Sequence, residues 1–141
     1  MMDWELRFSE AGYRITAPRR AVMEVLMDAQ TSLSPQDIWE QARSVHRGLG
    51  LVTVYRTLDV LSQMDLVRRV HREDGCHGYL PTSPGHRHAL ICRHCGQAVD
   101  FAGGDDLEGM ITTIETETGY RVDGHLLQLF GLCPGCRQLQ G

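Results

Sequence analysis

Four cysteines in two pairs, Cys92-Arg93-His94-Cys95 and Cys133-Pro134-Gly135-Cys136, carry the clearest chemistry in this chain of 141 residues. Zinc takes four ligands in a tetrahedron, and two residues between cysteines let one tight turn aim both sulfurs at one ion. Each pair has a glycine beside or within it, Gly96 and Gly135. A single CxxC is shared with thiol redox motifs, whereas two in a short chain point to a four-thiolate zinc site. A redox module would need the first cysteine of a pair at a helix start, where the thiol pKa falls. Cys92 is instead expected to end a strand and enter a knuckle. The fifth cysteine, Cys76, is left over and argues against a simple disulfide framework.

The elements that position these residues follow from periodicity and end signals. The first 70 residues read as packed helices: Trp4 to Ala11, then one begun by Thr16-Ala17-Pro18 with Val22, Val25 and Leu26 facing a core. Ser34-Pro35-Gln36-Asp37 is a start signal, a capping serine with proline in the first turn and an acid three residues on. Ile38, Ala42 and Val45 follow on one face. After Gly48-Leu49-Gly50, a fourth helix from about Leu51 to Met64 turns Val54, Leu58 and Leu61 inward and Thr53, Tyr55, Arg56 and Asp59 elsewhere. Leu66–His71 and His77–Leu80 read as strands joined by a turn with an Asp-Gly signal.

Helices followed by one hairpin describe a winged helix-turn-helix, whose last helix enters the major groove of DNA. Thr53, Tyr55 and Arg56 suit contacts with phosphate and base edges. A half-buried core tyrosine and a solvated arginine would give the same letters.

Composition bounds the rest. An apolar content of 42% is ordinary for a globular protein. The net charge of −4 is uneven: residues 1–72 hold 10 arginines against 9 acids, and residues 73–141 hold 4 against 9. There is no lysine. Arginine's planar fork suits phosphate and guanine, so the basic set is compatible with nucleic acid. No apolar run approaches the roughly 18 residues of a membrane span, and no leader resembles a signal peptide. The expected setting is the cytoplasm, where paired cysteines more often hold metal than form disulfides.

Three stretches resemble the ferric uptake regulator family: Gly12-Tyr13-Arg14-Ile15-Thr16-Ala17-Pro18-Arg19, Gly50 to Leu58, and His86-Arg87-His88-Ala89-Leu90-Ile91-Cys92-Arg93-His94-Cys95-Gly96. That family comprises metal-dependent transcriptional regulators sensing iron, zinc, manganese or, through bound iron, peroxide. The likeness runs from about Ala11 to Arg137 with the motifs in family order. It implies an α+β chain, with a winged-helix DNA-binding domain over 1–82 and a small α/β metal-binding dimerisation domain over 83–141. It implies DNA contacts from Arg14, Arg19, Thr53, Tyr55 and Arg56, and structural Zn2+ on Cys92, Cys95, Cys133 and Cys136. It also implies a homodimer on a roughly palindromic double-stranded operator, and no membrane partner. In the second domain, strands are expected around Ala89–Cys92, Ala98–Phe101 and Leu126–Phe130, with a helix from about Asp105 to Thr118.

A second, regulatory metal site follows from the resemblance at His86, His88, Glu108 and His125, near the join between the domains. In an extended segment His86 and His88 project to one side. Three imidazoles and a carboxylate suit Fe2+ or Zn2+, with Mn2+ possible. A zinc hydrolase could use the same residues with Glu108 as general base, but the HExxH helix and the deaminase pattern are both missing. Relatives often carry a longer run of histidines and acids here. Arg87 and Ala89 interrupt it, Leu80 replaces an acid or sulfur ligand and Ser32 a histidine, so a further sensory site is absent or rebuilt. Cys76, His77 and Asp100 are the candidates for rebuilding, each better suited to packing or solvent. His46, His71 and His94 are expected at the surface.

Overall fold

Thr16 and Ser34 decide where two of the helices begin. In the computed structural model, which describes residues 3–72, 77–82, 87–103 and 107–140, α1 (Asp3–Glu10) leads to α2 (Ala17–Asp28). The Thr16 hydroxyl accepts from the Arg19 N–H at 3.4 Å. Before α3 (Pro35–Ala42), Ser34 Oγ accepts from the Asp37 N–H and the Asp37 carboxylate accepts from the Ser34 N–H, each at 3.1 Å. Two N–H groups that the helix leaves unpaired are satisfied in this reciprocal box. Then α4 (Leu51–Gln63) starts at Gly50 without a side-chain cap. It closes over Asp65, which takes positive φ (56°) so that the Leu66 N–H reaches the Leu61 carbonyl.

These helices share one core. Val54, Leu58 and Leu61 repeat at helical spacing and are fully buried with Phe8, Leu26 and Ile38. The hairpin follows: β1 (Val67–His71) pairs antiparallel with β2 (His77–Pro81), His71 opposite His77. The second sheet has the order β4-β3-β5, from β3 (Arg87–Cys92), β4 (Ala98–Ala102) and β5 (Gln128–Gly131). Its β3 runs antiparallel to β4 and parallel to β5, with α5 (Glu108–Thr118) in the β4-to-β5 connection and α6 (Pro134–Gln140) after β5. Gly119 ends α5 at φ 75°, the left-handed turn a glycine adopts without strain.

Alternation along β3 gives the second sheet two faces. Ala89 and Ile91 pack with Val70 and Leu80 of the hairpin into a second core. His88 and Leu90 therefore face the other way. Two further ties join the N-terminal part to the sheet: the Ala98 N–H donates to the Gln30 carbonyl at 3.0 Å, and Thr31 forms an isolated bridge with Gln97.

Several expectations need correction. Val45 is not on the buried face of α3, because that helix ends at Ala42 and leaves Val45 72% exposed. The last strand lies at Gln128–Gly131, two residues later than its start was expected, because its register is set by pairing with β3. Among the described residues α5 begins at Glu108; Asp105 lies outside them, as do residues 73–75 of the expected turn. The short helix α6 was not foreseen.

Leu58 has no exposed surface and sits where α4 meets the core. Leu58→Ala should lower stability by about 2–5 kcal/mol through lost burial and the cavity left behind. Urea unfolding followed by circular dichroism, with the metal content held constant, measures it; a loss below about 1 kcal/mol would contradict this packing.

Candidate metal centre and nucleic-acid interface

Three chain segments converge to gather the sulfurs. β3 ends at Cys92, and the turn through Cys95 folds back where Gly96 takes φ 80°. The Cys92 N–H then donates to the Gln97 carbonyl at 2.8 Å. The Arg93 N–H donates to the Gly131 carbonyl, also at 2.8 Å, which holds this knuckle against the end of β5. Two residues later comes Cys133, and α6 carries Cys136 in its first turn.

All four sulfurs lie within 4.8 Å of one another, with Cys95 Sγ and Cys133 Sγ 3.7 Å apart. A tetrahedron of Zn–S bonds of about 2.3 Å has edges of about 3.8 Å, while a disulfide would need about 2.05 Å. The spacing and the donor set fit zinc. Electrostatics agrees. N–H groups of Cys95, then of Cys133, draw the Cys92 thiol down to about 5. The Cys133 side chain, and burial after it, pushes Cys136 up to about 12. Cys95 is raised as well: the Gln97 N–H favours its thiolate, but the neighbouring thiols of Cys92 and Cys133, together with burial, outweigh it. Without a cation the cluster resists becoming four anions.

The histidines gather in part. His88 is buried, its ring 5.7 Å from that of Phe101, which stands opposite it on β4, and 5.3 Å from that of His125. Glu108 opens α5 and is exposed. With His88 and His125 it does not form a group within 4.8 Å as the cysteines do. His86 lies outside the described residues. The two described imidazoles occupy the sheet face turned away from the hairpin.

On the hairpin side the positions considered for a rebuilt site have other occupations. Asp100 accepts from Arg87 Nε and from Thr82 Oγ1 (2.9 Å), with Arg68 Nε 4.0 Å away. A carboxylate between two permanently charged guanidiniums is engaged and not offered to a metal. Leu80 is buried in the second core. Ser32 is buried against Gly78, so closely that a Cβ on Gly78 would come within 2.6 Å of its Oγ. His77 faces His71 with ring centres 4.9 Å apart; partial burial first, then the charges of Arg69 and His71, hold its pKa down. Cys76 lies outside the described residues. His71 and His94 are exposed and His46 half-buried.

The outer face of α4 carries Val52 (61% exposed), Tyr55 (50% exposed), Arg56 and Asp59, a helical stripe opposite Val54, Leu58 and Leu61. Thr53 is half-buried, and its carbonyl accepts the Thr57 hydroxyl at 2.7 Å. Val52 was missed in the sequence, although the phase that turns Val54 inward puts Val52 outward. An exposed valine beside tyrosine and arginine offers a thymine methyl an apolar contact. Arg14 is exposed, and Arg19 Nη1 donates to its carbonyl at 2.8 Å, so the two arginines lie together at the start of α2.

Comparison with known proteins agrees with this architecture. Residues 10–130 match the model of the ferric uptake regulator family. The ferric uptake regulation protein of Shigella flexneri is 31% identical over 141 residues, covering 98% of this chain and 95% of its own. The zinc uptake regulation protein of Mycobacterium tuberculosis is 33% identical over 129 residues, covering 92% and 98%. Among solved structures, a zinc uptake regulator complexed with zinc and DNA shares the fold, with a TM-score of 0.78 at 22% identity over 96% of this chain and 91% of that one. The Vibrio cholerae ferric uptake regulator, whose structure reveals a rearrangement of its DNA-binding domains, gives 0.62 at 27% identity over 93% and 100%. By its sequence, its two-sheet architecture and its four-cysteine knuckle, this chain belongs to the ferric uptake regulator family.

Proposed function

We propose that the chain is a metal-responsive transcriptional regulator, a repressor that binds a palindromic operator as a homodimer when Zn2+ or Fe2+ occupies its His/Glu site. It is a regulator and not a hydrolase, as its relatives are. Residues 1–82 form the DNA-reading unit and residues 83–141 the metal-binding and pairing unit. Its setting is the cytoplasm, where an operator is reached; among the described residues no helix is long and apolar enough to cross a membrane.

The observation that carries the metal-sensing reading is the buried imidazole of His88 beside His125. Imidazole suits both ions, and His86 and Glu108 are the further ligands in this reading. A metal held by all four would link the start of β3, the start of α5 and the segment before β5. A metal changes operator affinity only through its different affinities for the two arrangements. Tyr55 and Arg56 read bases from α4, while Arg14, Arg19 and Thr53 meet the phosphate backbone. Met110, Ile114, Val99 and Leu129 are exposed, and their apolar surface suits coverage by a second copy. Two winged helices held about 34–36 Å apart would meet successive turns of the major groove.

The thiolate zinc has a separate role. It supplies folding energy to a unit whose own buried core is small, and it stays bound while the sensed metal exchanges. Because Cys95 and Cys136 are protonated in the metal-free cluster, zinc binding at neutral pH should release at least those two protons, and zinc affinity should fall as pH falls. Titrating zinc into stripped protein in weak buffer with a pH indicator tests this. Binding without acidification would rule out closure by four thiolates.

Operator binding is tested by fluorescence anisotropy on a palindromic AT-rich duplex, with zinc, anaerobic iron(II) or manganese added at fixed salt. Arg56→Ala should cost about 1–3 kcal/mol of binding. His88→Ala and His125→Ala should each abolish the metal response while keeping one thiolate zinc per chain. A normal metal response in His125→Ala sinks the site assignment, and flat, weak binding of the unmodified protein under every metal sinks the operator reading.

A further inference from the structure

Asp100 is approached from three directions at the junction between the hairpin and the second sheet. It projects from β4 on the sheet face that carries Ala89 and Ile91. Arg87 of the neighbouring strand β3 donates to its carboxylate through Nε and to its backbone carbonyl through Nη2, the latter at 3.2 Å. Thr82, just past the end of β2, donates to Oδ1 at 2.9 Å. Arg68, on β1, brings Nε to 4.0 Å from the same oxygen. The carboxylate side chain is only 14% exposed, and the two arginine side chains 28% and 24%. Arg68 Nε is buried and has no hydrogen-bond partner among the described residues, so a shift of about 1 Å would turn its loose ion pair into a charge-assisted hydrogen bond.

We infer that Asp100 is a positioning residue for DNA binding: its carboxylate ties the wing (Arg68, Thr82) to the sheet (Arg87) by a contact that needs no metal, and so limits the directions in which α4 is presented. The inference rests on the operator reading above. Two guanidiniums converge on one carboxylate, so removing the negative charge leaves like charges facing each other across the junction. The tie then becomes a repulsion, in a partly shielded place where charge is felt more strongly than in water. Gln128 reinforces the join from β5: its amide accepts from the His71 N–H at 2.9 Å and donates to the His71 carbonyl at 2.7 Å. Arg87 and His88 are adjacent on β3 and point to opposite faces. One strand therefore carries the wing tie on one side and the sensed imidazole on the other, so a pull on His88 moves the residue next to the tie.

The test is Asp100→Asn, which keeps the shape and the Thr82 contact but removes the charge. It is measured with one thiolate zinc per chain, with and without added zinc or iron(II). Small-angle scattering in the metal-free state should show a wider distance distribution for Asp100→Asn than for the unmodified dimer. On AT-rich palindromic duplexes of varied half-site spacing, the variant should lose about tenfold in affinity, the scale of a site-to-site coupling, and should discriminate less between spacings. Arg68→Gln in the Asp100→Asn background removes the stranded charge and should restore part of the loss. A residue needed only for folding would move thermal stability without changing the spacing preference. If Asp100→Asn does not fold, Arg68→Gln alone weakens the tie from the other side and is read in the same two ways. An unchanged scattering profile, with affinity within about twofold at every spacing, overturns the proposal. If the unmodified protein binds no duplex, the operator reading fails, and scattering alone decides the tie.

Discussion

Four sulfur atoms within 4.8 Å of one another form an arrangement that protons hold poorly and a divalent cation holds well. Much of the C-terminal part depends on that constraint. The cysteines come from the end of β3, the turn after it, the segment after β5 and the first turn of α6. Joining them pins together the C-terminal ends of the parallel strands β3 and β5, with Cys95 and Cys133 38 residues apart in sequence. Closing such a connection costs chain entropy, and α5 buries no side chain within one chain to offset it. Metal ligation there would supply what a small core does not.

On that base β3 works as a two-sided element. Alternation puts Arg87, Ala89 and Ile91 against the hairpin and His88 and Leu90 on the far side. The sheet face toward the hairpin is apolar at its centre and charged at its edge, where Asp100 meets Arg68 and Arg87. The far face holds the imidazole pair and the exposed apolar side chains Val99 and Leu129. In the proposed reading, metal sensing, subunit pairing and wing docking converge on one short sheet. Signals between them need cross only the thickness of a strand.

Much of this was legible in the letters. Helix starts were readable because a capping serine or threonine and a nearby proline act locally, within one turn. The buried face of α4 was readable because its apolar residues repeat every three or four positions. The gathering of the cysteines was readable because both thiols of each pair sit within one turn. The last strand and Val45 were misplaced because strand register and helix ends are settled by partners far away in sequence. Asp100 was singled out without its role, since nothing local marks an acid as the meeting point of Arg68 and Arg87.

The sequence by itself determined the chemistry available: four thiols in two tight pairs, histidines spaced two apart, and a helix with arginine and tyrosine outside its apolar stripe. Those features depend on periods and on contacts between residues a few positions apart. Only the tertiary structure decided which face of the second sheet each group occupies. It set His88 beside His125 away from the hairpin and Asp100 beneath two arginines toward it. A one-residue change of register would exchange the two faces, and register here is set by the pairing of β3 with strands before and after α5, which no local stretch encodes.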